Sequence, residues 1–350
     1  MVFTINPNVA EYGGADWSDF VKTVPNSTPQ SAQRIAMQNP NITFFFYCRE
    51  PIVLEGKGTF NAGDAVFFTG QPWYGSAPQC DSYQKDFFNV GYLNPSDTNF
   101  QNIGCFVLQD GRQFVDVACL FAANINYDST TNQAVLYYNE QIAAALDSGT
   151  VQTLQNLGIT VLLTVLGNHQ PAGWSCFTDQ SSAAAFAQQL AAAVNQYGLD
   201  GIDIDDEYST CTPNDQSLIM VTNALRTLAP DIIISKALWE DYQYFKASWN
   251  GMTLAEQLSY GWEMSYGPGG PDERLAPYLQ WGMQKNQLGL GVWSGQPSNV
   301  TSQTQQVKTE GYGGMMIFAV NDNEGTESYA TDIAKVFYDE SVVLKPGCWR

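Results

Sequence analysis

Positive charge is what this 350-residue chain has least of. It holds 15 Lys plus Arg against 35 Asp plus Glu, a net charge of −20 at pH 7. So acidic a surface repels phosphate backbones and anionic headgroups, which argues against nucleic acid or a membrane surface as partner. No run of about 18 apolar residues occurs, so no membrane-spanning helix is expected. Histidine is almost missing: His169 is the single one. The 7 cysteines match no zinc spacing, so no metal site is expected, and nothing points to a cofactor. Residues 1–14 lack a basic stretch followed by an apolar core, so no signal peptide is expected in this chain. Scarce Lys with abundant Asn, Gln, Ser and Thr suits a secreted protein. Three N-x-S/T sequons begin at Asn26, Asn41 and Asn299, a pattern that such a composition also produces by chance.

What is there begins with 44% hydrophobic residues, enough for a large core in one domain. Residues 1–40 show no period and read as an irregular lead-in. The run 42–48, Ile-Thr-Phe-Phe-Phe-Tyr-Cys, is continuously apolar and reads as a first strand buried on both faces. A Gly-, Asn- and aromatic-rich insertion over 55–111 follows it. Strands are then predicted at 114–126, 160–167, 200–207, 231–239, 258–266, 288–293 and 314–320. Helices fall between them at 138–157, 181–197, 214–228, 274–281, 301–310 and 326–338. In the second of these, Phe186, Leu190, Val194 and Tyr197 trace one face. Eight apolar strands alternating with helices describe an α/β fold, a single (β/α)₈ TIM barrel over 41–340, with 341–350 a tail.

The centre of this reading is Asp200-Gly201-Ile202-Asp203-Ile204-Asp205-Asp206-Glu207. Strand side chains alternate, so Ile202 and Ile204 face an apolar helix layer while Asp203, Asp205 and Glu207 share the other face. Three carboxylates within about 14 Å of strand, at roughly 3.4 Å per residue, cannot all ionise cheaply. One of them is expected to hold a proton near neutrality and serve as a general acid. Barrel chemistry sits at the C-terminal strand ends. Those ends gather Asn124, Asn126, Gly167, Asn168, His169, Trp239, Trp262, Trp293, Phe318 and Asn321 around Asp205 and Glu207. Amides, acids and flat rings at one mouth suit a carbohydrate.

Asp200-x-x-Asp203-x-Asp205-x-Glu207 resembles the DxxDxDxE signature of glycoside hydrolase family 18. Its variant here is similar to that of the endo-β-N-acetylglucosaminidases of the endoglycosidase H type. The segments Phe121-Ala-Ala-Asn124-Ile-Asn126-Tyr-Asp128 and Leu163-Thr-Val-Leu-Gly167-Asn168-His169-Gln170 resemble the same enzymes. Tyr266 stands where the family contacts the substrate acetamido group, although Gly267 replaces the aspartate of the chitinase form M-x-Y-D. Phe318 stands where chitinases have a floor tryptophan.

The resemblance implies a substrate-assisted reaction on N-glycans, in which the 2-acetamido oxygen is the nucleophile. Glu207 is then the general acid, Asp205 the partner of the acetamido N–H, Asp203 a neighbour sharing a proton with Asp205, and Tyr266 the group that orients the acetamido carbonyl. Asp200 is expected to be structural and Asp206 to face away. Alternatives are a chitinase and an inactive glycan-binding lectin, although the acid Glu207 that such a lectin loses is present. Adjacent loops predict a Cys176–Cys211 disulfide, with Cys80–Cys105 a weaker pair and Cys119 a buried thiol. The insertion is expected to overhang the mouth, with Trp73 and Tyr74 touching glycan. A monomer is expected.

Overall fold

The computed structural model describes residues 3–11, 17–72, 74–322 and 324–348. Eight parallel strands follow one another around a ring: Phe88–Leu93, Val117–Asp128, Thr160–Gly167, Gly201–Ile204, Ile233–Leu238, Tyr260–Glu263, Leu288–Trp293 and Gly314–Phe318. The last pairs back onto the first, Met316 opposite Val90, which closes a (β/α)₈ barrel. Outside it lie helices such as Gln180–Tyr197, Ser217–Leu228, Val300–Glu310 and Glu324–Tyr338. The alternation holds on the acidic strand: Ile202 and Ile204 are buried among helix residues including Phe186, Leu190 and Leu218. Residues 138–157 are not one helix. Gly149 sits at φ 76 and divides the stretch into Glu140–Asp147 and Thr150–Asn156.

The first barrel strand is Phe88–Leu93, not residues 42–48, and it lies inside the stretch expected to be an insertion. Phe44–Cys48 is instead the middle of a five-stranded antiparallel sheet. Its order is Phe3–Glu11, Tyr74–Lys85, Phe44–Cys48, Ala65–Phe68, Phe20–Val24. The apolar run misled for a physical reason, because this strand too is buried on both faces. Phe45 packs with Phe3, Phe67 and Tyr83 against barrel-interior residues such as Phe88, Tyr260 and Trp262. Phe44 and Phe46 pack on the other side with Phe60, Phe68 and the partly buried Trp17. A continuous hydrophobic strand therefore reads the same here as in a parallel barrel.

This sheet and the helix Pro29–Gln38 close the N-terminal end of the barrel. Arg34 Nη2 binds Asp200 Oδ1 at 2.6 Å, at the start of the acidic strand, and Tyr260 Oη donates to the Met37 carbonyl at 2.8 Å. The segment expected to overhang the mouth thus lies mostly at the opposite end. Tyr74, on the sheet, bonds Asn6 and Gln84; Trp73 lies outside the described residues. Cys176 and Cys211 form the expected disulfide. Cys105 pairs with Cys348 rather than with Cys80, whose thiol faces Cys48 from the neighbouring strand at 3.1 Å. Cys119 is a buried free thiol.

Candidate active site

Asp203 lies wholly buried inside the barrel and is saturated with donors. Tyr92 Oη at 2.7 Å and Thr164 Oγ1 at 2.9 Å reach one oxygen. Ser235 Oγ at 2.6 Å and Trp262 Nε1 at 3.0 Å reach the other. Burial pushes its pKa up and these four donors oppose that. Its partners come from four different strands, and none of them is Asp205. The expected sharing of a proton between Asp203 and Asp205 is not what the hydrogen bonds describe.

Two residues on, Asp205 is 3% exposed, and its Oδ1 has no hydrogen-bond partner. Burial holds this carboxyl well above the usual carboxylate range, and the charges of Glu207 and Asp203 add to it. Glu207 is half-buried at the mouth; burial raises it as well, against the pull of the Lys236 ammonium. Lys236 was not anticipated. It is buried beside Asp241, with which it forms an ion pair, and its Nζ donates to Ala237 O at 2.8 Å. Burial alone would lower it, but Asp241 and Asp206 outweigh that and keep it charged. Asp206 does not face wholly away: it lines the same cavity as Glu207, while its Oδ1 accepts from Ser175 N and Oγ at 3.2 and 3.0 Å. Asp200 is structural, bound to Arg34, Gln155 and the Val161 amide.

Tyr266 sits on the loop after the sixth strand with φ 53, its ring 5.8 Å from Phe318 and 6.3 Å from Trp293. Phe121, 5.3 Å from Phe318, and Tyr92 complete this aromatic floor. Trp293 is 41% and Trp239 55% exposed. Trp239 lines a cavity of about 360 Å³ together with Glu207, Tyr208, Lys236 and Met264. His169 is exposed beside Tyr208, ring centroids 5.1 Å apart.

Four of the expected lining residues turn elsewhere. Trp262 is wholly buried and serves Asp203 from inside the barrel. A tryptophan wholly buried beneath the mouth cannot meet a sugar, and strand alternation alone does not reveal that depth. Gly167 supports the acid through the main chain, since its N–H donates to Glu207 O at 3.0 Å. A Cβ on Gly167 would stand 2.4 Å from that oxygen, so no other residue fits without moving the Glu207 loop. Asn124 donates to Gly167 O at 3.2 Å, and Asn321 Oδ1 accepts from Thr326. Asn168 and Asn126 bond each other at 2.8 Å while remaining half-buried at the rim. Tyr92 escapes sequence reading because its strand falls within a stretch that reads as an insertion; the alternation of Phe88, Val90 and Tyr92 carries the signal. Among the described residues no cluster of His, Cys, Asp and Glu could hold a metal.

The arrangement therefore offers a mouth acid, a buried carboxyl with a free acceptor, a fixed carboxylate beneath, and a tyrosine over an aromatic floor. Such a set can donate a proton and stabilise a cationic intermediate at a sugar ring. A family model described as "Glycosyl hydrolases family 18" matches residues 90–279. An endo-beta-N-acetylglucosaminidase from Flavobacterium sp. (strain SK1022) is 35% identical over 72% of this chain and 81% of that protein. Endo-beta-N-acetylglucosaminidase F1 from Elizabethkingia meningoseptica is 28% identical over 72% of this chain and 78% of that one. In fold, the chain is similar to EndoBT-3987 of Bacteroides thetaiotamicron. That likeness has a TM-score of 0.64 at 18% identity and covers 98% of this chain and 90% of that one. On the family match and the 35% identical relative, the chain belongs to glycosyl hydrolases family 18 and is a glycoside hydrolase.

Proposed function

We propose that the chain is an endo-β-N-acetylglucosaminidase cutting the β-1,4 bond of the N,N′-diacetylchitobiose core of N-glycans, high-mannose glycans first, by a retaining, substrate-assisted mechanism. The observation that carries this is the Asp205 carboxyl, buried with one oxygen unpartnered between a saturated Asp203 and the mouth acid Glu207. An unmet buried acceptor costs about 1–3 kcal/mol, which the N–H of a 2-acetamido group would offset.

In this mechanism the acetamido oxygen attacks the anomeric carbon while Glu207 gives its proton to the leaving oxygen. Asp205 accepts from the acetamido N–H and balances the positive oxazolinium-like ring, and Tyr266 orients the carbonyl. Glu207, now a base, takes a proton from the water that opens the ring. Two displacements at one carbon restore the β configuration. Trp239 and Trp293 are exposed rings on which sugar faces can lie.

Support for the substrate comes from the names of the relatives and from EndoBT-3987, solved with a Man5GlcNAc product and with a Man9GlcNAc2Asn substrate. The test is glycan release from high-mannose, hybrid and complex glycoproteins, read by mass spectrometry. One GlcNAc should stay on the protein, and the high-mannose glycoprotein should react fastest. Chitooligosaccharides cleaved in preference to all three would overturn the reading in favour of a chitinase. We further propose a secreted monomer, since two disulfides suit an oxidising compartment. Light scattering and the thiol content of protein recovered from the medium test it.

A further inference from the structure

Tyr266 cannot hold its place by itself. A non-glycine residue at φ 53 is in a sparsely populated backbone region that costs on the order of 1–3 kcal/mol unless its surroundings enforce it. Nor does this chain have the aspartate that follows the tyrosine in the chitinase form. Gly267 stands there, and a Cβ on it would meet only Ser265 Oγ at 3.6 Å, so space does not demand glycine.

The main chain of the loop is instead gripped carbonyl by carbonyl. Arg274 Nη1 donates to Gly267 O at 3.0 Å and to Gly269 O at 3.4 Å. Gln303 Nε2, from the helix Val300–Glu310, donates to the same two carbonyls at 3.0 and 3.1 Å. Gln296 Nε2 reaches Tyr266 O at 3.2 Å. Arg274 is itself fixed: Nη2 donates to Gly291 O at 2.7 Å and forms an ion pair with Glu263. Glu263 in turn accepts from the Ser265 amide at 2.8 Å, one residue before the tyrosine. Both Arg274 and Gln303 are buried. Two buried side chains from different elements converging on one pair of carbonyls exceeds what closing a surface turn requires.

We propose that Arg274 and Gln303 are positioning residues that hold Tyr266 over the acetamido group. This rests on the role assigned to Tyr266 above. A planar guanidinium fork and a neutral amide bind carbonyls without adding a carboxylate to a site already crowded with acids. The grip ties the sixth strand, the seventh strand and the helix Val300–Glu310 to the orientation of one ring, and that orientation matters most as the acetamido oxygen closes on the anomeric carbon.

The experiment is a double-mutant cycle between Gln303→Met and Tyr266→Phe, read as kcat and KM on whichever N-acetylglucosamine-containing substrate the wild type cleaves. Gln303→Met keeps chain length and leaves the Glu263–Arg274 pair intact. It should lower kcat by about 10-fold with KM changed less than about twofold, an orientation effect. In the Tyr266→Phe background the same change should cost less than about twofold, because coupled residues are not additive. Gln296→Met, at a half-buried position, should show the same non-additivity with a smaller effect. Full additivity in both cycles, or a loss of activity matched by lost thermal stability at the assay temperature, overturns the proposal. A Tyr266→Phe enzyme as fast as wild type overturns the tyrosine's role and the clamp's purpose with it. A different preferred substrate changes the proposed function but leaves the cycle readable.

Discussion

At the scale of single residues, the proposed mechanism gives the two carboxyls above Asp203 different work, and substitutions should separate them. Glu207→Gln keeps shape but has no proton to give, so cleavage of natural glycans should fall by about 10²–10⁴-fold. Asp205→Asn keeps the acid but weakens stabilisation of the ring intermediate. That variant should release glycan poorly yet still use a preformed sugar oxazoline as donor, which product analysis with a GlcNAc acceptor checks. It should also be more stable than wild type at neutral pH. The folded-state pKa of Asp205 is raised, so its ionisation weakens the fold as pH rises through that pKa and costs nothing below the unfolded carboxyl range. The melting-temperature advantage of Asp205→Asn should therefore grow with pH from about 4, where the unfolded carboxyl titrates, upward. Lys236 offers a further check. Its cation holds Glu207 down against burial, so Lys236→Met should move the alkaline limb of the kcat/KM profile to higher pH. Asp203, Asp205 and Glu207 were legible because alternation and charge act over neighbours in sequence. Lys236 was not, since nothing nearby in the chain says that Asp241 and Asp206 will surround it.

At the scale of elements, the mouth depends on how the loops after the third and fourth strands meet. Gly167→Ala would drive a methyl into the Glu207 carbonyl, and a displacement of about 1 Å can cost about 10²-fold in rate. The kcat of that variant, with its melting temperature as control, measures this. The Cys176–Cys211 bridge spans a separation of 35 residues and braces the same loops. Replacing both cysteines by serine should destabilise the fold by around 3 kcal/mol, as denaturant unfolding would show. This pair could be read from strand order, since consecutive barrel strands place their loops side by side. Cys105–Cys348 could not, because one partner lay in a stretch read as an insertion and the other in the tail.

At the scale of the whole molecule, the N-terminal sheet is a floor under the barrel, with the chemistry at the other end. Tyr74→Ala should accordingly leave both the cleavage rate and the ranking of glycan types within about twofold of wild type, the usual behaviour of a surface change away from a site. Arg34→Ala should instead act on stability. It leaves the buried Asp200 with Gln155 and the Val161 amide alone, a cost of about 1–3 kcal/mol that thermal unfolding would register without a change in kcat.

The sequence by itself determined the seven later barrel strands, the order of the helices and the placing of Asp203, Asp205 and Glu207 in and just beyond the fourth strand. All of these follow from periodicity and from spacing within a few residues. Tertiary structure alone decided that Phe44–Cys48 joins a separate sheet while Phe88–Leu93 opens the barrel. Burial on both faces gives the same apolar pattern whichever partners supply it. It also decided that Trp262 points beneath the site rather than into it, and that the Gln303 amide from a distant helix joins Arg274 in gripping the Tyr266 loop. Depth along a barrel axis and contacts across 30 or more residues leave no period in the chain, so only the closed ring of strands could fix them.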